Sequence, residues 1–224
     1  MEIRYSELKH YAFHATDGDI GGCQDVLIDD DQWIVRYLVA DTNTWLPLSR
    51  KVVISPVSIN NADPASSKLS VEMSKEALRN SPALEAHQPV SREYESLLFK
   101  YFGYGYYWTG PGAWGEYAHP LELVNNVREI AEPAGEDNSH LRSCDELTGY
   151  AIALSDGEAG HLEDLVFQLP QWSAADLIIN LNDWLPGGKR VRVDCRHVVS
   201  IDWATHTIKL EISKQELEQS AAAD

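Results

Sequence analysis

The chain has 224 residues, of which 44% are hydrophobic, and 18 Lys and Arg against 35 Asp and Glu give a formal net charge of −17. This composition is typical of a folded globular protein, and the lack of a basic stripe excludes the electrostatic footprint of a nucleic-acid-binding protein. Its uncharged apolar runs are far shorter than the roughly 20 residues that cross a bilayer as a helix, so we expect no transmembrane segment.

The first nine residues lack the basic-then-apolar pattern of a signal peptide, so we expect a cytoplasmic protein. The chain has three cysteines, at Cys23, Cys144 and Cys195. They are too few and too scattered for a disulfide framework or a zinc site, and we expect them to be structural.

Residues 7–78 have the pattern of short strands separated by turns. Asp17 and Gly18 predict a tight hairpin turn, and Gly21 predicts a bulge or a close backbone approach just after it. Strands are predicted over 23–29, 33–41, 51–55 and 68–73, and Ser74 begins a short helix. Five or six strands at this spacing are typical of a small all-β barrel.

The middle of the chain differs in character. Residues 91–102 place Tyr94, Leu97, Leu98, Tyr101 and Phe102 at the spacing of one apolar helix face. A second short helix is predicted over 121–130, and residues 131–140 have the composition of a polar linker.

An aromatic and glycine-rich stretch follows the predicted helix. Its glycines are incompatible with a regular helix, and its large aromatic side chains are costly to leave in water. Two interpretations stay open: the stretch packs across both barrels, or it forms a contact surface for a partner. The candidate partner-binding residues are Tyr104, Tyr106, Tyr107, Trp108 and Trp114.

The chain repeats itself at a fixed offset of 139 residues. Without a gap, residues 7–78 align with 146–217, and 22 of these 72 pairs are identical. A Trp-Leu-Pro motif occurs at 45–47 and again at 184–186. The signature pairs are Asp17 and Asp156, Gly18 and Gly157, Gly21 and Gly160, Asp25 and Asp164, and Trp33 and Trp172.

The repeat predicts the domain organisation. We expect a mainly β fold of two small barrels, over 1–80 and 141–224, joined by a segment over 81–140 that carries a helix and the aromatic stretch. Each barrel is small enough that its core is marginal alone, so we expect it to depend on the other barrel, the middle segment or a second chain.

These motifs resemble the PRC-barrel family, the small barrel found in the photosynthetic reaction-centre H subunit and in a ribosome maturation factor. The resemblance rests on Leu8 and Leu147 before each Asp-Gly-x-x-Gly turn, and on the Asp-led strands that begin at Asp25 and Asp164. Residues 89–95, before the aromatic stretch, and residues 140–143, before the second repeat, resemble tandem PRC-barrel proteins of bacteria. The resemblance implies a role in assembly and docking and carries no catalytic signature.

The residue patterns predict no catalytic, cofactor or metal site. The histidines lack the spacing that places two ligands on one face, and no nucleophile elbow or phosphate-binding glycine loop occurs. Asp25 and Asp164 fall on equivalent strands, and we favour hydrogen bonding to a backbone N–H over general acid or base catalysis for both.

We therefore expect a non-enzymatic adaptor or assembly protein that binds a protein partner, with its acidic surface favouring a basic one, or that forms a homo-oligomer. One alternative is a peripheral component of a membrane photosynthetic or electron-transfer complex, by analogy with the H subunit. Another is an enzyme or a small-ligand binder that uses the crevice between the barrels.

Overall fold

The structure, a computed structural model, describes residues 1–42, 50–85, 89–124, 141–181 and 189–223. The repeated motifs at 45–47 and 184–186 and the predicted linker over 131–140 lie outside the described residues. Of the helix predicted over 121–130, the described part holds one 3₁₀ turn, Pro120–Leu123.

The first 85 residues are built mostly of short strands. Their helices are α1 (Tyr5–Leu8) and α2 (Lys75–Asn80). Their strands are β1 (Glu2–Arg4), β2 (Ala12–Ala15), β3 (Gly18–Asp29), β4 (Ile34–Ala40), β5 (Arg50–Ile54), β6 (Ile59–Asp63), β7 (Lys68–Val71) and β8 (Leu84–Glu85).

The rest of the chain holds one long helix in the middle segment and a second set of strands. The helices are α3 (Arg92–Phe102), α4 (Cys144–Leu147) and α5 (Lys214–Ala223). The strands are β9 (Leu141–Ser143), β10 (Ala151–Leu154), β11 (Gly157–Gln168), β12 (Ser173–Asn180), β13 (Arg190–Asp194), β14 (Val198–Asp202) and β15 (Thr207–Leu210).

The described strands join into one large mixed sheet. Its main path runs β14–β15–β10–β11–β12–β4–β3–β2–β7–β6, with the shorter strands attached beside it. Strand β2 pairs with β7, and β10 pairs with β15, in parallel, while antiparallel pairs make up the rest of the path. The fold is therefore mainly β, as the sequence predicts.

Strands β4 and β12 connect the two halves of the sheet. Ser173 lies opposite Ile34, and hydrogen bonds flank this pair on both sides. Val35 N donates to Trp172 O at 2.8 Å, and Ala174 N donates to Trp33 O at 2.6 Å. Each half thus donates an amide to the carbonyl of a repeat-signature tryptophan in the other half.

A second connection exchanges the short opening strands. Strand β1 pairs with β11, in the other half, and strand β9 pairs back with β3. The buried apolar side chains of both halves and of the middle segment form one continuous cluster. The halves therefore share backbone pairing and a core, and we expect them to fold together.

Two signature glycines lie against neighbouring backbone. A Cβ on Gly21 would stand 1.6 Å from Asp41 O, and a Cβ on Gly160 would stand 1.9 Å from Asn180 O. Both glycines also have positive φ, at 148° and 57°. The close approach predicted at Gly21 is confirmed, and Gly160 makes the same approach. Both positions need glycine, because a Cβ would collide with the neighbouring backbone.

Helix α3 is rotated relative to the face predicted from the sequence. It buries Tyr94, Glu95, Leu98 and Phe99, whereas Leu97 is 52% exposed and Tyr101 is 43% exposed. The prediction that Leu97 and Tyr101 belong to the buried face is wrong.

Each terminal helix begins after a serine, as predicted for Ser74. Ser213 and Glu216 form a reciprocal capping box on α5, while Ser74 caps α2 through its bond from Ala77 N alone. Within the described part of the chain, no helix combines the length and the apolar character needed to cross a membrane.

Candidate functional site

Asp17 and Asp156 hold the terminal helices. The carboxylate Oδ1 of Asp17 accepts from Lys75 N at 2.7 Å, and that of Asp156 accepts from Lys214 N at 2.9 Å. A carboxylate at a helix N-terminus satisfies a free amide and complements the helix dipole. These two aspartates therefore have a structural role.

Asp25 and Asp164 bind the exchanged segments across the junction. Asp25 accepts from Ser143 Oγ at 2.7 Å and from Asp145 N at 3.1 Å. Asp164 accepts from Ser6 N at 3.0 Å and also from the Ser6 hydroxyl. Each carboxylate also accepts the backbone N–H of the residue that follows it. The hydrogen bonds that these two carboxylates accept thus connect the two halves.

The three cysteines are buried thiols. Burial, with a further effect of the nearby Asp25 carboxylate, raises the pKa of Cys23 to about 12. Burial raises the pKa values of Cys144 and Cys195 as well. A thiol that stays protonated at neutral pH is a poor nucleophile and a poor metal ligand.

The aromatic stretch divides into a buried part and a half-buried part. Tyr104, Tyr107 and Trp114 are buried in the core. Tyr106 and Trp108 are half-buried and pack against it. Of the five candidate partner-binding residues, these two present surface in the folded protein.

Arg36 fixes the buried part of the stretch to β4. Its guanidinium donates to Ala113 O and to Asp29 Oδ2, the latter at 3.1 Å, and the side chain is 1% exposed. The guanidinium also lies 3.8 Å from the ring centroid of Tyr107 and 5.0 Å from that of Trp114. The pairing with Asp29 and the stacking on both rings satisfy a charge that would be costly to bury alone.

Glu95 is the second buried charge under the stretch. Its Oε1 accepts from Tyr37 OH at 3.0 Å and from Tyr107 OH at 2.7 Å, and its Oε2 lies 2.9 Å from Arg92 Nη1. Burial raises the pKa of the Glu95 carboxyl above its ordinary value, and the Arg92 guanidinium partly opposes this effect.

Trp114 ties the stretch to the second half of the sheet. Its indole Nε1 donates to Gln171 O at 2.8 Å, next to the signature residue Trp172. The stretch therefore contacts both halves, which is one of the two arrangements that the sequence left open.

The half-buried residues form what we name the Tyr106–Trp108 patch, defined as Tyr106, Trp108 and Arg92. The two rings stack with centroids 4.8 Å apart and an interplanar angle of 26°. The Arg92 guanidinium lies 4.4 Å from the Trp108 centroid. Phe99 supports both rings from the core side. The patch is aromatic and includes one arginine side chain stacked over Trp108.

Crevices open where the described parts of the two halves meet. An apolar one of about 350 Å³ lies between Ile59 of the first half, Leu121 of the middle segment and Pro170 of the second half. A polar one of about 590 Å³ lies over β12 and β13. Among the described residues, no group of three or more His, Cys, Asp and Glu is arranged to hold a metal ion.

Sequence reasoning missed the buried charges Arg36, Glu95 and Asp29. A signal was present for Arg36, since it is the one charged residue in the otherwise apolar run of β4. Arg92 and Glu95 stand three residues apart on α3, a spacing that places them side by side.

No protein-family model matches this chain, and no curated protein matches it either. Membership of the PRC-barrel family stays a prediction.

Proposed function

We propose that this chain is a non-enzymatic adaptor or assembly protein that binds a protein partner through the Tyr106–Trp108 patch. The observation that carries the proposal is the stacked pair of rings with a guanidinium over one of them, fixed on a buried aromatic base. Aromatic and arginine side chains dominate binding energy at protein interfaces, and pre-ordered ones lose little entropy on binding.

We further propose that the two halves are copies of one module similar to the PRC-barrel. Three observations at the 139-residue offset support this. The opening strands are exchanged reciprocally, since Glu2 pairs with Gln168 and Leu141 pairs with Asp29. Trp33 and Trp172 share positive φ values of 56° and 59°. Each half also places one parallel strand pair in the same order, β2 with β7 and β10 with β15.

The acidic charge favours a basic partner. A net charge of −17 accelerates encounter with a positively charged surface and disfavours an anionic membrane or nucleic acid. The hydrophobic anchor at Tyr106 and Trp108 would then supply most of the affinity. A homo-oligomer is less favoured, because two copies repel each other.

The proposal is tested by affinity capture of the tagged full chain from its host lysate, followed by mass spectrometry. We expect a stoichiometric partner that is captured by the wild type and by Leu97→Ala, and lost with Trp108→Ala. Leu97 is the matched control because it is an exposed apolar residue on the neighbouring helix. A partner retained equally by both variants would place the binding surface elsewhere.

The apolar crevice supports a second candidate function, the binding of a small apolar molecule between the halves. Its volume of about 350 Å³ lies within the range of ligand pockets, and residues from three parts of the chain line it. A thermal-shift screen of apolar metabolites against the full chain tests this function. A ligand would raise the melting temperature of the wild type and leave that of Leu121→Glu unchanged.

A further inference from the structure

The apolar crevice lies along an open edge of the sheet. Strand β6 ends the main path of the sheet, and among the described strands it pairs with β7 alone. Residues 59–62 of β6 line the crevice. We propose that an extended segment of a partner protein, carrying an uncharged apolar side chain, pairs with the edge of β6 and fills the crevice. This site is the crevice of the second candidate function, on which the proposal rests, with a peptide segment as its ligand.

The backbone of Ala62 faces the open side of β6. Ala62 lies opposite Leu69 in the antiparallel β6–β7 pair. On the other side of β7, Ala12 lies opposite Lys68, and Ala12 N donates to Ser67 O at 2.9 Å. Backbone groups alternate sides along a strand, so those of Leu69 also face β2 and do not bond to Ala62. The N–H and C=O of Ala62 therefore point away from β7, on the side where this residue lines the crevice.

The lining of the crevice selects an uncharged apolar side chain. None of the described residues that line it has a charged side chain, and its walls include Leu121, Pro170 and Trp172. The amino group of Met1, which also lines it, is already bonded to Leu169 O at 2.9 Å. A charged group would lose water there without gaining a partner, whereas an apolar group gains free energy from burial.

Two large apolar side chains at the crevice are exposed. Met1 is 53% exposed and Leu121 is 39% exposed. They come from the start of the chain and from the middle segment, and they meet at this one crevice beside the edge of β6. Exposed apolar groups that cluster in this way mark a binding site, because an occupant covers them together.

The sheet already accepts short strands at other edges, and these strands show the form that an occupant takes. Strand β1 pairs with β11 and buries Ile3 between two exposed neighbours. Strand β8 has two residues, pairs with β5 and buries Leu84. Each joins an edge through its backbone and inserts one apolar side chain. Peptides that add to an exposed sheet edge bind in the same way, with backbone pairing for affinity and a side-chain pocket for specificity.

A different protein is a better source of this segment than a second copy of the chain. Each copy has a net charge of −17, so two copies repel each other as they approach. The lining of the crevice has no charged side chain that would offset this repulsion.

The probe is the blocked peptide acetyl-Ser-Val-Thr-Leu-Thr-Val-Ser-amide, which is uncharged and places valine, leucine and valine on one face of a strand. Its binding to the full-length protein is measured by isothermal titration calorimetry, and we expect saturable binding. A peptide with glutamate in place of leucine should bind at least tenfold more weakly, because the crevice offers its charge no partner. A peptide N-methylated at the leucine and at both threonines should also bind at least tenfold more weakly, because it lacks the N–H donors that pair with a strand edge.

Matched protein variants locate the site. Leu121→Glu places a charge in the crevice, and we expect it to weaken binding of the unmodified peptide at least tenfold. Val199→Glu makes a comparable change at a side chain 57% exposed on β14, at the other end of the sheet path, and should leave binding unchanged. Ala62→Pro removes the amide on the open side of β6 and should weaken binding several-fold. Should Ala62→Pro lower the melting temperature, the N-methylated peptide makes the same test on the wild type.

The proposal is overturned if the unmodified peptide shows no saturable binding up to about 1 mM. Equal binding by Leu121→Glu and Val199→Glu overturns it too. Equal binding of the N-methylated and unmodified peptides would also overturn it, and would leave the crevice as a site for small apolar molecules.

Two further measurements separate this site from the alternatives. If the wild type is a dimer by light scattering and Leu121→Glu is a monomer, a second copy fills the crevice and the choice of a different protein is wrong. The Trp108→Ala variant is expected to bind the peptide as tightly as the wild type does. Failure of the crevice as a peptide site is thus distinguishable from failure of the Tyr106–Trp108 patch.

Discussion

At the scale of single residues, the aromatic stretch depends on two buried charges that are paired with several groups at once. Arg36 contacts a carboxylate, a carbonyl and two aromatic rings, while Glu95 contacts two phenols and a guanidinium. A buried ion is costly to leave unpaired, so each of these two charges depends on partners that include residues of other elements.

Arg36→Ala should therefore destabilise the protein strongly. The change leaves the Asp29 carboxylate without its buried counter-ion and opens a space under Tyr107. We expect a loss of about 3–5 kcal/mol in the free energy of unfolding, measured by urea denaturation.

The matched control is Arg190→Ala, whose side chain is 65% exposed beside Glu163. An exposed ion pair contributes about 0–1 kcal/mol, so this variant should unfold at nearly the wild-type midpoint. Equal effects of the two changes would contradict the role given to Arg36.

The pH dependence of stability in the Glu95→Gln variant, compared with the wild type, tests the second buried charge. Burial raises the pKa of Glu95 in the folded state, so the folded protein holds this proton more tightly than the unfolded chain does. The resulting stabilisation is fully present below the unfolded pKa and is lost as the pH rises through the folded pKa.

The stability of the wild type relative to Glu95→Gln should thus fall as the pH rises from below the unfolded pKa of about 4.3. Urea unfolding of both proteins at a series of pH values measures this difference. A difference that stays constant, or that rises with pH, would show that Glu95 is not the buried acid inferred here.

At the scale of elements, strand β3 needs a glycine where it passes the end of β4. Gly21→Ala would bring a Cβ within 1.6 Å of Asp41 O, at a backbone φ that L-residues avoid. We expect a loss of about 2 kcal/mol or more in the free energy of unfolding.

Gly22→Ala is the control at the next residue of the same strand. There the Cβ would meet its nearest atom, Tyr11 O, at 4.0 Å, and the side chain would face solvent. The effect should stay within about 0.5 kcal/mol, by calorimetry or urea unfolding. A large loss for this variant would mean that β3 is intolerant of side chains in general.

The positions of many strands and helices are predictable from the sequence, because local residue patterns specify local structure. The strand periodicity predicts β3 and β4, Gly21 predicts the close approach, and Ser74 predicts the start of α2. The burial of Glu95 was not predictable, since apolar spacing assigns charged residues to the solvent side. Its partners Tyr37 and Tyr107 lie on other elements.

At the scale of the whole molecule, the exchanged strands make the halves interdependent. Ser6 binds Asp164, and Ser143 binds Asp25, while β1 and β9 each extend the other half's sheet. Residue patterns within one half do not reveal which partner a short strand chooses. The sequence predicts two small barrels that depend on each other, and the exchange of β1 and β9 within one mixed sheet is the part that it does not specify.

The second half on its own, residues 141–223, should fold only as a dimer. Its strand β9 has no β3 to pair with, but the β11 of a second copy offers the equivalent edge, and Asp164 offers the equivalent carboxylate. Light scattering after gel filtration should show a dimer, with circular dichroism that falls on dilution.

The full chain is the control, with one cooperative unfolding transition and a signal that does not change on dilution. A folded monomer of residues 141–223 that persists at low concentration would show that the exchanged strands are dispensable. The dimer expectation would then be wrong.

The exchange of β1 and β9 has a consequence for how the protein is made. While the chain is being synthesised, strand β3 and the carboxylate of Asp25 exist before their partners in β9 have been translated. At about 5–20 residues per second, the roughly 60 residues between α2 and Ser143 take on the order of ten seconds. During that interval the nascent first half exposes an unpaired strand edge to its surroundings. A ribosome-associated chaperone that shields this edge should raise the yield of the native protein.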